Sequence, residues 1–373
     1  MSDSTLLTND QVNKETIIDK AKNVINSIIK FFINFGKGFV EFFKNPKQGL
    51  KKCWNKIRSQ KGWLFVLPAV ILMCIFTFWP IINSLSSAFK ENYNPLESLG
   101  PKYTGLGFEN FLMVLQIGGR VPEGTGAEFL VCLKNTLILA FVTVPLSTAL
   151  ALLISVALNS IKAVQKAYQT IYFLPYLTNS LAMGAVFATF FNIVASNPMD
   201  VSTYKTAGLV NNLLAVFGVD PINWMNAGSS TFTNYIVIII YEVWSGLPFK
   251  ILILFSALQS VGKQYYDAAK VDSASKATVL WRITVPLISP MISYLLVTGI
   301  MGAMKSYSSI VGLYGEGMGP NSDYEMGTMV GYIYSMIENN QTGYAAAGSI
   351  ILFLIIMVFT AINLYVSKKK VHY

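Results

Sequence analysis

The chain has 373 residues, 53% of them hydrophobic and 13% charged, with a formal net charge of +9. Soluble domains carry about 25% charged residues, so the composition points to a polytopic helical membrane protein. Lys and Arg cluster beside apolar runs of about 20 residues, the length that crosses a bilayer as a helix, so the positive balance reads as topology and not as a nucleic-acid face. Cys53, Cys74 and Cys132 are too scattered for a disulfide framework or a metal site, and His372 is the sole histidine. Zinc chemistry and histidine-based triads are therefore set aside.

In chain order, residues 1–20 form a polar tail with no basic start leading into an apolar core, so no cleavable signal peptide is expected. The segment 21–61 is amphipathic and basic. Within it Ile25, Ile28, Ile29, Phe32, Phe39 and Phe43 recur at helical spacing among Lys22, Lys30, Lys37 and Glu41. Such a helix is expected in the membrane interface, on the cytoplasmic leaflet, and the rival reading is a seventh span burdened by internal charges. Residues 62–367 form the transmembrane domain, and 368–373 a basic tail.

Six spans are expected, at about 63–86, 132–158, 168–195, 235–257, 286–304 and 345–367. Pro68, Pro80, Pro145, Pro175, Pro248 and Pro290 lie in them, and prolines in membrane helices often mark kinks. Lys51, Lys52, Lys56, Arg58 and Lys61 precede the first span, Lys162 and Lys166 follow the second, and Lys368, Lys369 and Lys370 follow the last. The intervening loops are poorer in basic residues, which places both termini in the cytoplasm.

The stretch "YYDAAKVDSASKATVLWRITVP", residues 265–286, is polar and helix-prone between two apolar runs. A helix is expected over about 263–277, with Tyr265, Ala268, Ala269 and Asp272 on one face. Small residues flanked by tyrosines suit docking in a partner's groove. An ordinary amphipathic interfacial helix accounts for the residues equally well.

The same stretch resembles the E-A-A-x-x-x-G…I-x-L-P signature of ABC importer permeases. Asp267-Ala268-Ala269 stands at E-A-A, Asp272 at the acidic residue before the glycine, and Ile283 to Pro286 at I-x-L-P. Ser273 replaces the glycine, and the leading acid is shortened to Asp267. "YTGLGFENF", "CLKNTLILAFVTVPL", "QTIYFLPYL" and "VWSGLPFKILILFSALQSV" resemble the maltose-transporter-type, larger permease of the carbohydrate branch, as does "GMGPNSDYEMGTMVGYIYSMIENNQTGYAAAGSIIL". The likeness runs from about residue 62 to 367 and leaves out the first 60 residues.

The resemblance implies an all-α, six-span type I importer domain in a bacterial plasma membrane, with a coupling helix seated on an ATPase. Tyr265, Tyr266, Asp267, Ala268, Ala269, Asp272, Ser273 and Pro286 would form that docking element. It implies a second permease subunit, two cytoplasmic ATPase subunits and an extracellular solute-binding protein, the last met by the loops at about 88–131 and 305–344. The chain has no phosphate-binding loop of the G-x-x-x-x-G-K-[ST] type, so ATP and Mg are expected on the ATPase partners and no cofactor on this chain.

For the solute, the candidates are Glu242, Trp244, Gly246, Phe249, Ser306 and Tyr307: a carboxylate for hydroxyl groups and rings for C–H faces. A Glu242–Lys305 ion pair joining two helices is the plain alternative. Glu242 is taken as the only charge near mid-span, which disfavours a sugar phosphate such as glycerol phosphate as cargo, since that cargo needs cavity-facing cations. An intramembrane enzyme would need a nucleophile with a base, or paired carboxylates. A non-transporting assembly or sensor protein could use the same docking helix.

Overall fold

The computed structural model describes residues 62–93, 103–117, 128–161, 170–171, 174–195, 204–322 and 324–370. The expected interfacial helix at 21–43 lies outside them. Contacts divide the chain into two units, Met1–Ile81 and Ile82–Tyr373. Helix α1 (Gly62–Met73), a π turn (Cys74–Phe78) and α2 (Trp79–Ala88) follow one another along the first candidate span, Phe65–Ala88.

After a short antiparallel pair, β1 (Lys90–Glu91) with β2 (Gly105–Leu106), comes α3 (Glu109–Val114). The long α4 (Phe129–Ser160) is followed by a 3₁₀ turn (Leu174–Leu177), α5 (Ser180–Phe191), and a second pair, β3 (Ile193–Ala195) with β4 (Tyr204–Ala207). Then come α6 (Leu209–Val216), α7 (Thr231–Ser260), α8 (Lys263–Val271) and α9 (Lys276–Val279). A π turn (Leu280–Thr284) leads into α10 (Val285–Ala303). The chain closes with α11 (Ser308–Tyr314), α12 (Met329–Glu338) and α13 (Thr342–Lys370).

Five helical stretches among the described residues are long and apolar enough to cross a membrane. They correspond to five of the six expected spans. The stretch expected at 168–195 shows the 12-residue α5, rising about 18 Å against a hydrocarbon core of about 30 Å. The reason is local: Asn179 caps α5 by accepting from the Leu181 N–H, so the helix starts there, and it stops at Asn192. The span expected from residue 286 begins earlier, at Lys276.

The helix that starts at Lys276 runs on through Pro286 by a π turn. Both π turns end two residues before a proline, Pro80 and Pro286, and in both the intervening residue donates to a carbonyl five back (Trp79 to Cys74, Val285 to Leu280). A proline has no N–H for the carbonyl four residues back, and its ring clashes with it. Widening the turn by one residue lets the helix run through.

Helix α4 contributes to all three apolar clusters of the second unit: Phe129, Ala140 and Val144 to one, Leu139 to another, Ala151, Leu152 and Leu158 to the third. It lies along α7 and beside α10. Small residues set the close crossings. A Cβ on Gly184 of α5 would fall 2.8 Å from the Gly312 Cα of α11, and one on Gly299 of α10 would fall 2.7 Å from Val144 of α4. Asn135 pins the segment after α11 to α4 by donating to the Glu325 and Gly327 carbonyls at 2.9 and 3.0 Å.

Candidate functional site

Two places gather the residues singled out by sequence. The first is the segment from Gly262 to Pro286. Its helix α8 ends at Val271, short of the expected 277, in a Schellman motif. The Ala274 N–H donates to Ala269 O at 2.9 Å and the Ser273 N–H to Lys270 O at 3.1 Å. That closure needs a left-handed residue, and Ser273 holds φ = 53°. So serine stands where the resemblance has glycine, in the conformation glycine adopts most cheaply. The Ser275 hydroxyl then caps α9 through the Thr278 N–H at 3.2 Å.

The geometry divides the expected docking residues between two sides of the segment. Ala269 is buried, and the Tyr266 hydroxyl lies 3.4 Å from the Thr284 hydroxyl, so Tyr266 and Ala269 face the body of the protein. Tyr265, Ala268 and Asp272 are exposed, at i, i+3 and i+7. Asp267 is exposed and pairs with Lys270 at 3.4 Å, a surface contact of small energetic weight. Pro286 is exposed at the second residue of α10.

The second place is a cavity of about 180 Å³ between α4, α7 and the end of α10. Thr143, Val144 and Ser147 form one wall, Glu242, Gly246 and Lys250 a second, Gly299, Gly302, Ala303 and Ser306 a third. Glu242, Gly246 and Lys250 are spaced i, i+4, i+8, which puts them on one helix face. The Glu242 Oε1 accepts from Ser306 at 2.8 Å and Ser309 at 2.5 Å. Buried Lys250 donates to the Ser147 hydroxyl and, at 3.2 Å, to the Val144 carbonyl.

Of the six residues expected along a solute path, Glu242, Gly246 and Ser306 meet here. Trp244, about 200° round the helix from Glu242, lines a separate cavity of about 390 Å³ with Tyr176 and Tyr241, and packs on Phe187 at 4.7 Å. Phe249 stacks on Tyr176 at 5.8 Å, and Tyr307 on Tyr334 at 4.3 Å. No Glu242–Lys305 ion pair forms, and Lys305 is exposed. Sequence reasoning missed Lys250, and with it Ser147 and Ser309. Glu242 is therefore not the only charge at mid-span, and that ground for setting a sugar phosphate aside falls. The signal was present, since an ionisable residue inside a span is a site candidate by default.

The two places are joined by the chain. Helix α8 follows α7 after Val261 and Gly262, and α9 with its π turn leads straight into α10. Both flanking helices wall the cavity.

Residues 143–372 match the protein family described as binding-protein-dependent transport system inner membrane component. The lactose transport system permease protein LacF of Rhizobium radiobacter is 26% identical over 314 residues, covering 83% of this chain and 94% of that protein. The arabinooligosaccharides transport system permease protein AraP of Bacillus subtilis is 27% identical over 328 residues, 86% of this chain and 94% of that protein. A crystal structure of a bacterial ABC transporter involved in the import of the acidic polysaccharide alginate contains a chain of like fold. Its TM-score is 0.68 at 23% identity, over 85% of this chain and 99% of that one.

Proposed function

This chain belongs to the family of binding-protein-dependent transport system inner membrane components, and from that premise we propose that it is the permease subunit of an ATP-driven importer for a carbohydrate. It is a multi-pass bacterial membrane protein, not itself an enzyme. The observation that carries the carbohydrate reading is the match to the lactose and arabinooligosaccharide permeases over 94% of each. The hydroxyls of Thr143, Ser147 and Ser306 around a carboxylate and an ammonium suit a hydroxyl-rich solute.

Such a permease works with a partner permease, an ATPase and a solute-binding protein. In the arrangement we infer, two ATPase subunits carry ATP and Mg in the cytoplasm and one of them seats the Tyr265, Ala268 and Asp272 face. Both termini lie on that side. A push on α8 passes directly into α7 and α10, so the walls carrying Glu242 and Gly302 move as rigid elements between two packings.

The test is ATP turnover by the whole importer in proteoliposomes. Binding protein loaded with a carbohydrate should raise turnover and drive uptake of that carbohydrate. Turnover that stays basal with every carbohydrate-loaded binding protein, with no uptake, would contradict the reading.

A further inference from the structure

Lys250 was not among the residues singled out from the sequence, yet it sits buried in a span and lines the same cavity as Glu242. The two charges share one face of α7 with Gly246 between them. The Lys250 ammonium lies 3.9 Å from where a Gly246 Cβ would stand, with the Ser147 hydroxyl beside it at 3.7 Å, so it reaches back along α7 toward the Glu242 turn. The two do not pair directly: among the described residues the one ion pair is Lys270–Asp267. Each is held by neutral groups instead, Lys250 by Ser147 and the Val144 carbonyl, Glu242 by Ser306 and Ser309. Both hydroxyl bonds to the carboxylate fall on Oε1, and Oε2 accepts none from the described residues.

A lone charge in this setting would give the cavity a strong potential of one sign, which enriches solutes of the opposite sign. Two opposite charges on one wall leave the cavity without net charge while each keeps hydrogen-bonding capacity. We propose that Lys250 is the fixed countercharge of Glu242, a specificity-determining residue that makes the cavity electrically neutral and selects uncharged, hydroxyl-rich solutes over anionic or cationic ones. The proposal rests on this cavity being part of the solute path.

The experiment reads the cavity's charge without needing transport. Gly302 lines it with open space where a Cβ would stand, so Gly302→Cys fits there. In a full-length chain whose Cys53, Cys74 and Cys132 are replaced by alanine, the purified importer is treated with cationic and anionic methanethiosulfonates. The ratio of the two rates, normalised to a free thiol, should be near one with Glu242 and Lys250 present. Lys250→Met should raise the cation preference about tenfold, Glu242→Gln should raise the anion preference about tenfold, and the double variant should return near one. Lys250→Arg should keep the starting ratio, which separates charge from folding. Ratios unmoved by the single variants, a double variant that does not compensate, or a thiol unreactive in every background would each overturn the proposal. Failure of carbohydrate uptake with these ratios as expected would count against the transport reading alone.

Discussion

The segment 262–286 and the cavity between α4, α7 and α10 are built in opposite ways. In the first, the shaping bonds are local: Ala274 to Ala269, Ser273 to Lys270, Thr278 to Ser275, with Tyr266 reaching Thr284 as the longest step. In the second, Lys250 meets Ser147 across 103 residues, and Ser306 meets Glu242 across 64. A surface offered to a partner can thus be written as a short motif, while a cavity inside a bundle exists only once distant helices pack. The first should tolerate change inside the membrane, and the second should tolerate change on α8.

The largest expected effect breaks the cavity side through packing alone. Gly312→Leu puts side-chain carbon where a Cβ already falls 2.6 Å from Leu181 O and 3.0 Å from the Gly184 Cα. Backbone on both sides cannot yield as a side chain can, so the cost is about 3 kcal/mol or more. The expected readout is loss of monodisperse protein on extraction, and a normal yield would show that α11 is not held at this crossing.

Glu242→Gln comes next. It keeps the shape but replaces a charged acceptor for Ser306 and Ser309, and bonds to charged groups are worth about 1.5–3 kcal/mol. Carbohydrate uptake should fall on the order of tenfold while extraction and ATPase co-purification stay normal. Unchanged uptake by a folded complex would remove Glu242 from the solute path. Ser309→Ala removes one of the two donors while Ser306 still bonds the carboxylate, and uptake should fall roughly fivefold.

The smallest effect sharpens the other side. Ser273→Gly relieves a left-handed residue at φ = 53° and should stabilise the segment by about 1 kcal/mol. Thermal unfolding of the importer should shift upward with uptake intact, whereas a downward shift would mean that the serine hydroxyl has a role the closure of α8 does not explain.

Legibility followed the same divide. Ala268 and Asp272 could be placed on one face from spacing, and the resemblance marked the special position of Ser273, because the motif and the turn are one local object. The inward turn of Tyr266 could not, since it depends on where the π turn before α10 places Thr284. Among the spans, hydropathy located α4, α7 and α13 to within a few residues, because apolar length is a property of the segment itself. It overran α5, where the Asn179 cap restarts the helix, and it began the span that contains α10 too late, because Pro286 reads as a boundary unless a π turn carries the helix through it. Glu242 stood out in its span, but Lys250 was overlooked in "GLPFKILIL", and no linear pattern joins it to Ser147.

The central claim, that the exposed face of α8 is where an ATPase takes hold of the cavity walls, is tested most directly by co-purification of the gently extracted full-length chain, wild type against Ala268→Arg. Ala268 is exposed while its neighbour Ala269 is buried, so the arginine enlarges that exposed face without entering the protein. Wild type should bring down an ATPase and a second permease, and the variant should keep the permease and lose the ATPase. An ATPase that stays bound to the variant, or that never accompanies the wild type, would contradict the claim.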